Sequence, residues 1–322
     1  MKTRFSGLDL ACQVADLQHL VGMRINKIYD VDKKTYLLRL QRTEEKSVLL
    51  IESGSRIHET NSVWPKNDAP SGFTMKLRKH LKNKRLEQIT QHGTDRILVL
   101  KFGAGEVANF LFVELYDKGN IVLTDHENVI LGVLRPRLND ENNKVVARET
   151  YDLPVREKQA SLKLQDVVLL LQNAGATDTL KKLLVRYCFY GPALLEHLFL
   201  CRGIAINKKI RDLEKVEDTA TIVVGVLEEA ANFLSNNRPR GFIVQKIESH
   251  IGGELRTNEE FHPFLLRQHE KADAVKEFDT FNAAVDEFFS QLESQKIDMK
   301  VAQQEKHALK KLENIKKDHE TR

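Results

Sequence analysis

Residues 73–102, FTMKLRKHLKNKRLEQITQHGTDRILVLKF, change their period partway along. Phe73, Leu77 and Leu81 recur every fourth residue, with Arg78, Lys82 and Arg85 on the adjoining flank, and this spacing predicts a helix between Pro70 and Gln88. After Gly93-Thr94, which is turn chemistry, Ile97 to Phe102 is a β-branched and aliphatic run that predicts a strand. Between the two stands Asp95-Arg96, an acid-base pair at the mouth of a strand-like segment.

On the N-terminal side, Leu10, Val14, Leu17 and Val21 have helical spacing and end at Gly22, where a C-cap glycine is expected. The runs RINKIYDV, TYLLRLQ and KSVLLIES follow as short β-rich segments separated by charged turns, a meander. On the C-terminal side ANFLFVELYD and NIVLTD flank a hairpin connection, DKGN, and a last short run lies near VILGVLRPR. The expected fold class is α+β, with an antiparallel, β-rich first lobe over residues 1–137.

A polar, turn-rich stretch over 138–160 reads as a linker. A small helical lobe is expected over 161–214, opening with Ser161 as N-cap and broken at Gly191-Pro192, with Pro in a first helical turn. Residues 215–276 read as a middle α/β segment: a helix from Lys215 to Asn237, then GFIVQKIESH and ELRTNEEFHPF as a β excursion. From 277 to 322, Phe278, Phe281, Val285, Phe288, Leu292, Met299 and Ala302 approach a 3-4 alternation with no closing cap, the start of a long coiled coil.

The 322 residues are 41% hydrophobic and 30% charged, and no run approaches the roughly 18 apolar residues of a membrane span. The first residues turn polar before any leader-length apolar block, so a cytosolic or nuclear address is expected. Cys12, Cys188 and Cys201 are widely spaced and suit reduced thiols, and no His pairs as HxH or HxxxH, so no metal and no cofactor is expected. Phosphate-cradling glycine loops and nucleophile elbows are absent as well. A net charge of +4 is mild, so nucleic-acid binding must rest on where the charge sits.

It sits in MKLRKHLKNKR, where Lys76, Arg78, Lys79, Lys82, Lys84 and Arg85 occur without an acid in eleven residues. Most charge-rich helices are merely solvated, but they are usually laced with opposite charges, and this one is not. Phosphate binding is the competing reading, and Arg24, Lys27, Arg56, Arg135 and Arg137 could extend the footprint. For Asp95-Arg96 the residues alone favour a turn-closing acid and a snorkelling strand-end arginine.

SGLDLACQVADLQHLVGMRINKIYD, SGSRIHETN, the quoted run 73–102 and FVELYDKGNIVLTD closely resemble the N-terminal region of the NFACT family. The tail beyond EEFHPF resembles the family's animal member entering its coiled coil. The resemblance implies a first lobe like that of formamidopyrimidine-DNA glycosylases, then a helix-hairpin-helix-like lobe. This chain lacks their N-terminal proline and adjacent glutamate and their four-cysteine zinc finger, and YGPALLEH departs from the GxG hairpin, so base excision is not expected and the protein is not expected to be an enzyme.

For function, the resemblance implies ribosome-associated quality control. Expected partners are the large ribosomal subunit with stalled peptidyl-tRNA, charged tRNA (alanyl-tRNA above all) for template-free C-terminal tailing, and the ubiquitin ligase listerin, with no membrane. The family's tRNA-recruiting positions match Asp9, Asp95, Arg96 and Glu114. A nuclear export adaptor, which would bind an export receptor independently of RNA, and a repair glycosylase are the alternative readings.

Overall fold

A computed structural model describes residues 1–138, 144–153, 162–175, 177–188, 190–213, 215–250 and 253–292. They form two compact units, one of Arg4–Pro239 with Leu266–Gln268, the other of Met1–Thr3, Arg240–Leu265 and the residues from His269 onward.

The larger unit opens with α1 (Gly7–Asp16), started by a capping box in which Ser6 Oγ accepts from Asp9 N and the Asp9 carboxylate accepts from Ser6 N at 2.7 Å. A 3-10 turn, Leu17–Leu20, and Gly22 at φ +97° end it. Two antiparallel meanders follow. The first runs β1 (Arg24–Asp30), β2 (Thr35–Arg42), β3 (Glu45–Glu52) and β4 (Arg56–Glu59); the second runs β5 (Leu86–Gln91), β6 (Ile97–Phe102), β7 (Asn109–Glu114), β8 (Asn120–Thr124) and β9 (Ile130–Val133). In each sheet spatial order equals chain order, so the expected antiparallel, β-rich lobe is present. The backbones of two loops touch: Gly54 N donates to Glu114 O at 3.0 Å, and a Cβ on Gly119 would lie 2.0 Å from Gly54 N. Only glycine fits at 119, where φ is +70° besides.

Between the sheets lies α2 (Gly72–Leu81), N-capped by Ser71 and burying Thr74, Leu77 and Leu81. Thr74 Oγ1 donates to Asp30 Oδ1 at 2.8 Å, tying the helix to β1. The helix is shorter than its periodicity predicts. Lys82 leaves at ψ 132° and Asn83 adopts φ +62°, so Lys82, Lys84 and Arg85 stand on a turn instead of a helical stripe. Of the expected linker, residues 144–153 are described, and they pack: Val145 and Tyr151 join Phe112, Val122 and Ile130 in one apolar cluster, Tyr151 with its ring centroid 4.8 Å from that of Phe112.

The helical part comprises α3 (Leu164–Gln172), α4 (Leu180–Leu184), α5 (Pro192–Cys201) and α6 (Val216–Asn236). Pro192 follows Gly191 at φ +95° and starts α5, as its sequence predicts. Ser161 lies outside the described residues, and the N-cap observed for α3 is Lys163, whose backbone N–H donates to Asp166. Helix α6 packs on α3 and α5 through Ala220, Val223, Val226, Ala230 and Phe233, so it belongs with the helical lobe in space.

The smaller unit holds β10 (Gly241–His250), β11 (Gly253–His262) and β12 (Ala274–Phe278) in the order β11-β10-β12, all antiparallel. Residues 281–292 are helical. Phe281 and Phe288, expected on a coiled-coil seam, instead pack on Phe261 of β11, with Phe288 at 4.9 Å between centroids and Phe289 at 5.3 Å. Residues 277–278 close β12, and the remainder of the expected coiled coil, from residue 293, lies outside the described residues.

Candidate nucleic-acid interface

The four family-implicated positions come from three elements that meet at one end of the second sheet. The turn after β5 carries Asp95 and Arg96; Asp95 Oδ1 accepts from Arg96 N at 3.0 Å, the local closure expected of an aspartate there. Ile97 pairs with Glu114, and Arg96 O accepts from Leu115 N, which brings Glu114 alongside. Gln91 supplies the link to α1, its amide donating to Asp95 O at 2.8 Å and to Gly7 O at 3.1 Å. The sequence offers no signal for Gln91, whose role depends on two elements 84 residues apart.

These side chains differ in availability. Asp9 is 1% exposed and engaged in the capping box of α1. Glu114 is also 1% exposed; Tyr151 Oη donates to its Oε1 at 2.9 Å, and Arg137 closes on its Oε2. Burial and then the Glu114 charge push the Tyr151 phenol far above its ordinary range. Burial would lower the Arg137 value, and the neighbouring carboxylate raises it overall. Arg96 is half-buried, and its guanidinium has no hydrogen-bond or ion-pair partner among the described residues.

The basic candidates divide similarly. Arg56 is 4% exposed, lies 2.9 Å from Glu52 and stands over Trp64, so it is a core residue beyond the reach of a phosphate. Lys84 donates to Val107 O and Asn109 Oδ1, and burial lowers its pKa. Arg24 donates to Asn83 O, Arg85 lies 3.8 Å from Glu87, and Arg135 holds Ser53 and Gly119. That leaves Lys27, Lys76, Lys79 and Lys82, exposed and without an ion-pair partner among the described residues, with Arg78, tied at Nε to Ile28 O at 2.9 Å. Their shared field is felt by His80, held below the ordinary histidine range by burial and then by Lys79, Lys84 and Lys76.

Lys27, Arg78 and Lys82 line a groove of about 410 Å³ along β1, together with Ile25, Asn26, Ile28 and Tyr29. β1 is the edge strand of its sheet and bulges between Ile25 and Lys27. Lys66 Nζ stands 4.4 Å from the centroid of the Tyr29 ring and Arg78 Cζ 5.8 Å from it.

Elsewhere, Cys12 and Cys188 are buried and Cys201 is exposed, and none of the three is in a disulfide. The smaller unit gathers Glu260, His262 and His269 with potential ligand atoms within 4.8 Å of one another, a cluster that the HxH and HxxxH search passes over. His262 Nε2 meets the Glu260 carboxylate at 2.7 Å, and Lys2 Nζ lies 3.5 Å from Nδ1. A metal on Nε2 would oblige Nδ1 to carry its proton toward an ammonium, whereas a neutral His262 donates from Nε2 to Glu260 and accepts at Nδ1 from Lys2, so the arrangement suits a hydrogen-bonded chain better than a metal centre. Glu260 is accordingly lowered to about 2, chiefly by the His262 hydrogen bond. Among the described residues no helix is long and apolar enough to cross a membrane.

The family model for NFACT N-terminal and middle domains matches residues 6–322. The human "Ribosome quality control complex subunit NEMF" is 46% identical over all of this chain and the Drosophila melanogaster homolog 43%, while the chain covers 31% and 37% of those proteins, about a third of their length. The Saccharomyces cerevisiae "Ribosome quality control complex subunit 2" is 26% identical. Among solved structures, the fibrinogen binding protein from Staphylococcus aureus superposes with TM-score 0.63 at 20% identity, covering 88% of this chain and 98% of that one. The N-terminal part of the fibronectin/fibrinogen-binding protein from Streptococcus suis gives 0.59 at 19%. At such identities the likeness is one of fold.

Proposed function

The chain belongs to the NFACT family, and on that premise we propose that it is the RNA-binding part of a ribosome quality control adaptor. It engages a large ribosomal subunit that still carries peptidyl-tRNA, receives charged tRNA, alanyl-tRNA in particular, for template-free C-terminal tailing, and supports listerin. Bond formation belongs to the ribosome, and this protein positions substrates, in the cytoplasm and in part the nucleus. The relatives' name supports the ribosomal assignment.

For tRNA the supporting observation is the Arg96 guanidinium, without a partner among the described residues, on a turn braced by Gln91. A planar fork held this way can grip a phosphate through two parallel hydrogen bonds. Asp95 beside it, which also closes the turn through Arg96 N, is the carboxylate that accepts from the free α-amino group in this reading. Asp9 and Glu114, buried and engaged, act as positioning residues: one starts the helix that Gln91 contacts, the other fixes the strand end that carries Arg96.

The test compares binding of alanyl-tRNA, N-acetyl-alanyl-tRNA and deacylated tRNA to the wild type, Arg96→Ala and Asp95→Asn. Arg96→Ala should weaken all three, and Asp95→Asn should erase the preference for the free amine. A folded Arg96→Ala protein that binds all three like the wild type would falsify the assignment.

A further inference from the structure

The groove along β1 has a chemistry that phosphate contacts alone do not require. Exposed lysines suffice for a backbone, yet this groove is also lined by an aromatic ring, Tyr29. Tyr29 lies between Ile28 and the cap-bound Asp30 on a strand fixed by the Thr74–Asp30 hydrogen bond, so its ring is held by a rigid element. Arg78 is oriented by its Nε bond to Ile28 O, and its terminal nitrogens have no hydrogen-bond or ion-pair partner among the described residues. The volume, about 410 Å³, falls within the roughly 300–1,000 Å³ of small-ligand sites, and no acid is among the residues that line it.

A ring and cations lining one groove match what an unpaired nucleotide offers, a π-face and a phosphate. A duplex offers only its phosphates, its bases being stacked on each other and out of reach. We propose that this groove binds a single-stranded stretch of RNA, one base taking the place of the Lys66 ammonium on the Tyr29 ring while the adjoining phosphates meet Lys27, Arg78 and Lys82. The inference rests on the RNA-binding reading of the chain but not on Arg96. It adds a second contact that takes unpaired strand where the exposed lysines of α2 take any phosphate.

The experiment measures fluorescence anisotropy of a labelled single-stranded oligoribonucleotide and of a blunt RNA duplex of the same sequence with the whole chain, Tyr29→Leu and Tyr29→Phe, folding being checked by circular dichroism. Stacking contributes about 1–3 kcal/mol per base, so Tyr29→Leu should lose roughly 5- to 150-fold for the single strand. Its duplex affinity should be unchanged, and Tyr29→Phe should bind as the wild type does. Equal losses for both RNAs, or none for either, overturn the proposal. So does displacement of the oligonucleotide by adenosine monophosphate at equal concentration, which would make this a free-nucleotide pocket. Because the probes carry no amino acid and Arg96 is intact, failure here leaves the charged-tRNA reading standing, and failure of that reading leaves this one.

Discussion

Tyr151 donates its hydroxyl hydrogen to Oε1 of Glu114, a carboxylate that is 1% exposed at the end of β7, across 37 residues of sequence. A buried charge persists only while its hydrogen bonds are made. Tyr151→Phe leaves the cluster with Phe112 intact and removes one of them, so unfolding in urea should show a loss of about 2 kcal/mol. Glu114→Gln should cost a similar amount. The double variant should cost less than the two together, because one removes and the other weakens the same hydrogen bond, and an additive result would deny the coupling.

Asp9 provides a contrast with Arg96. Its carboxylate closes the capping box, so Asp9→Ala should lower stability by about 1 kcal/mol through loss of the cap. If its role is positional, tRNA affinity per folded molecule should fall far less than in Arg96→Ala. A normally stable Asp9→Ala protein that has lost tRNA would instead assign the carboxylate to the ligand.

Salt should separate the charges that face solvent from those that serve the fold. Exchanging Lys79 or Lys82 for Gln should weaken RNA binding uniformly across sequences and reduce the slope of log K against log salt by about 1 each. Arg56→Gln should leave the slope unchanged while destabilising the protein, since Arg56 is buried beside Glu52. Slopes from anisotropy titrations between low and physiological salt decide this.

His58 sets an acid limit. It is fully buried, and burial first, then the nearby Arg56 charge, holds its pKa well below the ordinary 6.5. The folded form stays neutral while the unfolded chain takes up a proton below about pH 6.5, so stability should fall as pH drops through that value toward the folded pKa. A His58→Leu protein should show a flatter melting temperature between pH 7 and 5. An equally steep decline in both would locate the acid sensitivity elsewhere.

Much of the lobe was legible because its signals are local. DKGN between two apolar runs yields the β7–β8 hairpin, and Gly191-Pro192 opens α5. Local rules fail where a distant partner decides. The period of Phe73, Leu77 and Leu81 extends α2 too far because Asn83 turns left-handed to reach β1, where its N–H donates to Ile25 O. Arg56 reads as surface charge until β3 and β4 set it opposite Glu52. Phe281 and Phe288 fit a heptad equally well whether the seam is another helix or Phe261. At the site, resemblance alone points to the acids and Arg96; that Asp9 and Glu114 are buried and engaged is visible only in three dimensions.

The edge position of β1 has a consequence for solution behaviour. An edge strand exposes backbone groups that can pair with a second molecule, and bulges and charged side chains are common deterrents. Here backbone bonds that join Ile25 to Lys84 and Asn83 close the start of the edge, and the bulge at Ile25–Lys27, the exposed Lys27 and the Arg78 bond to Ile28 O guard the rest. Charge-erasing variants made to abolish RNA binding therefore also lower the barrier to aggregation, and their loss of affinity is interpretable only for protein that remains monomeric.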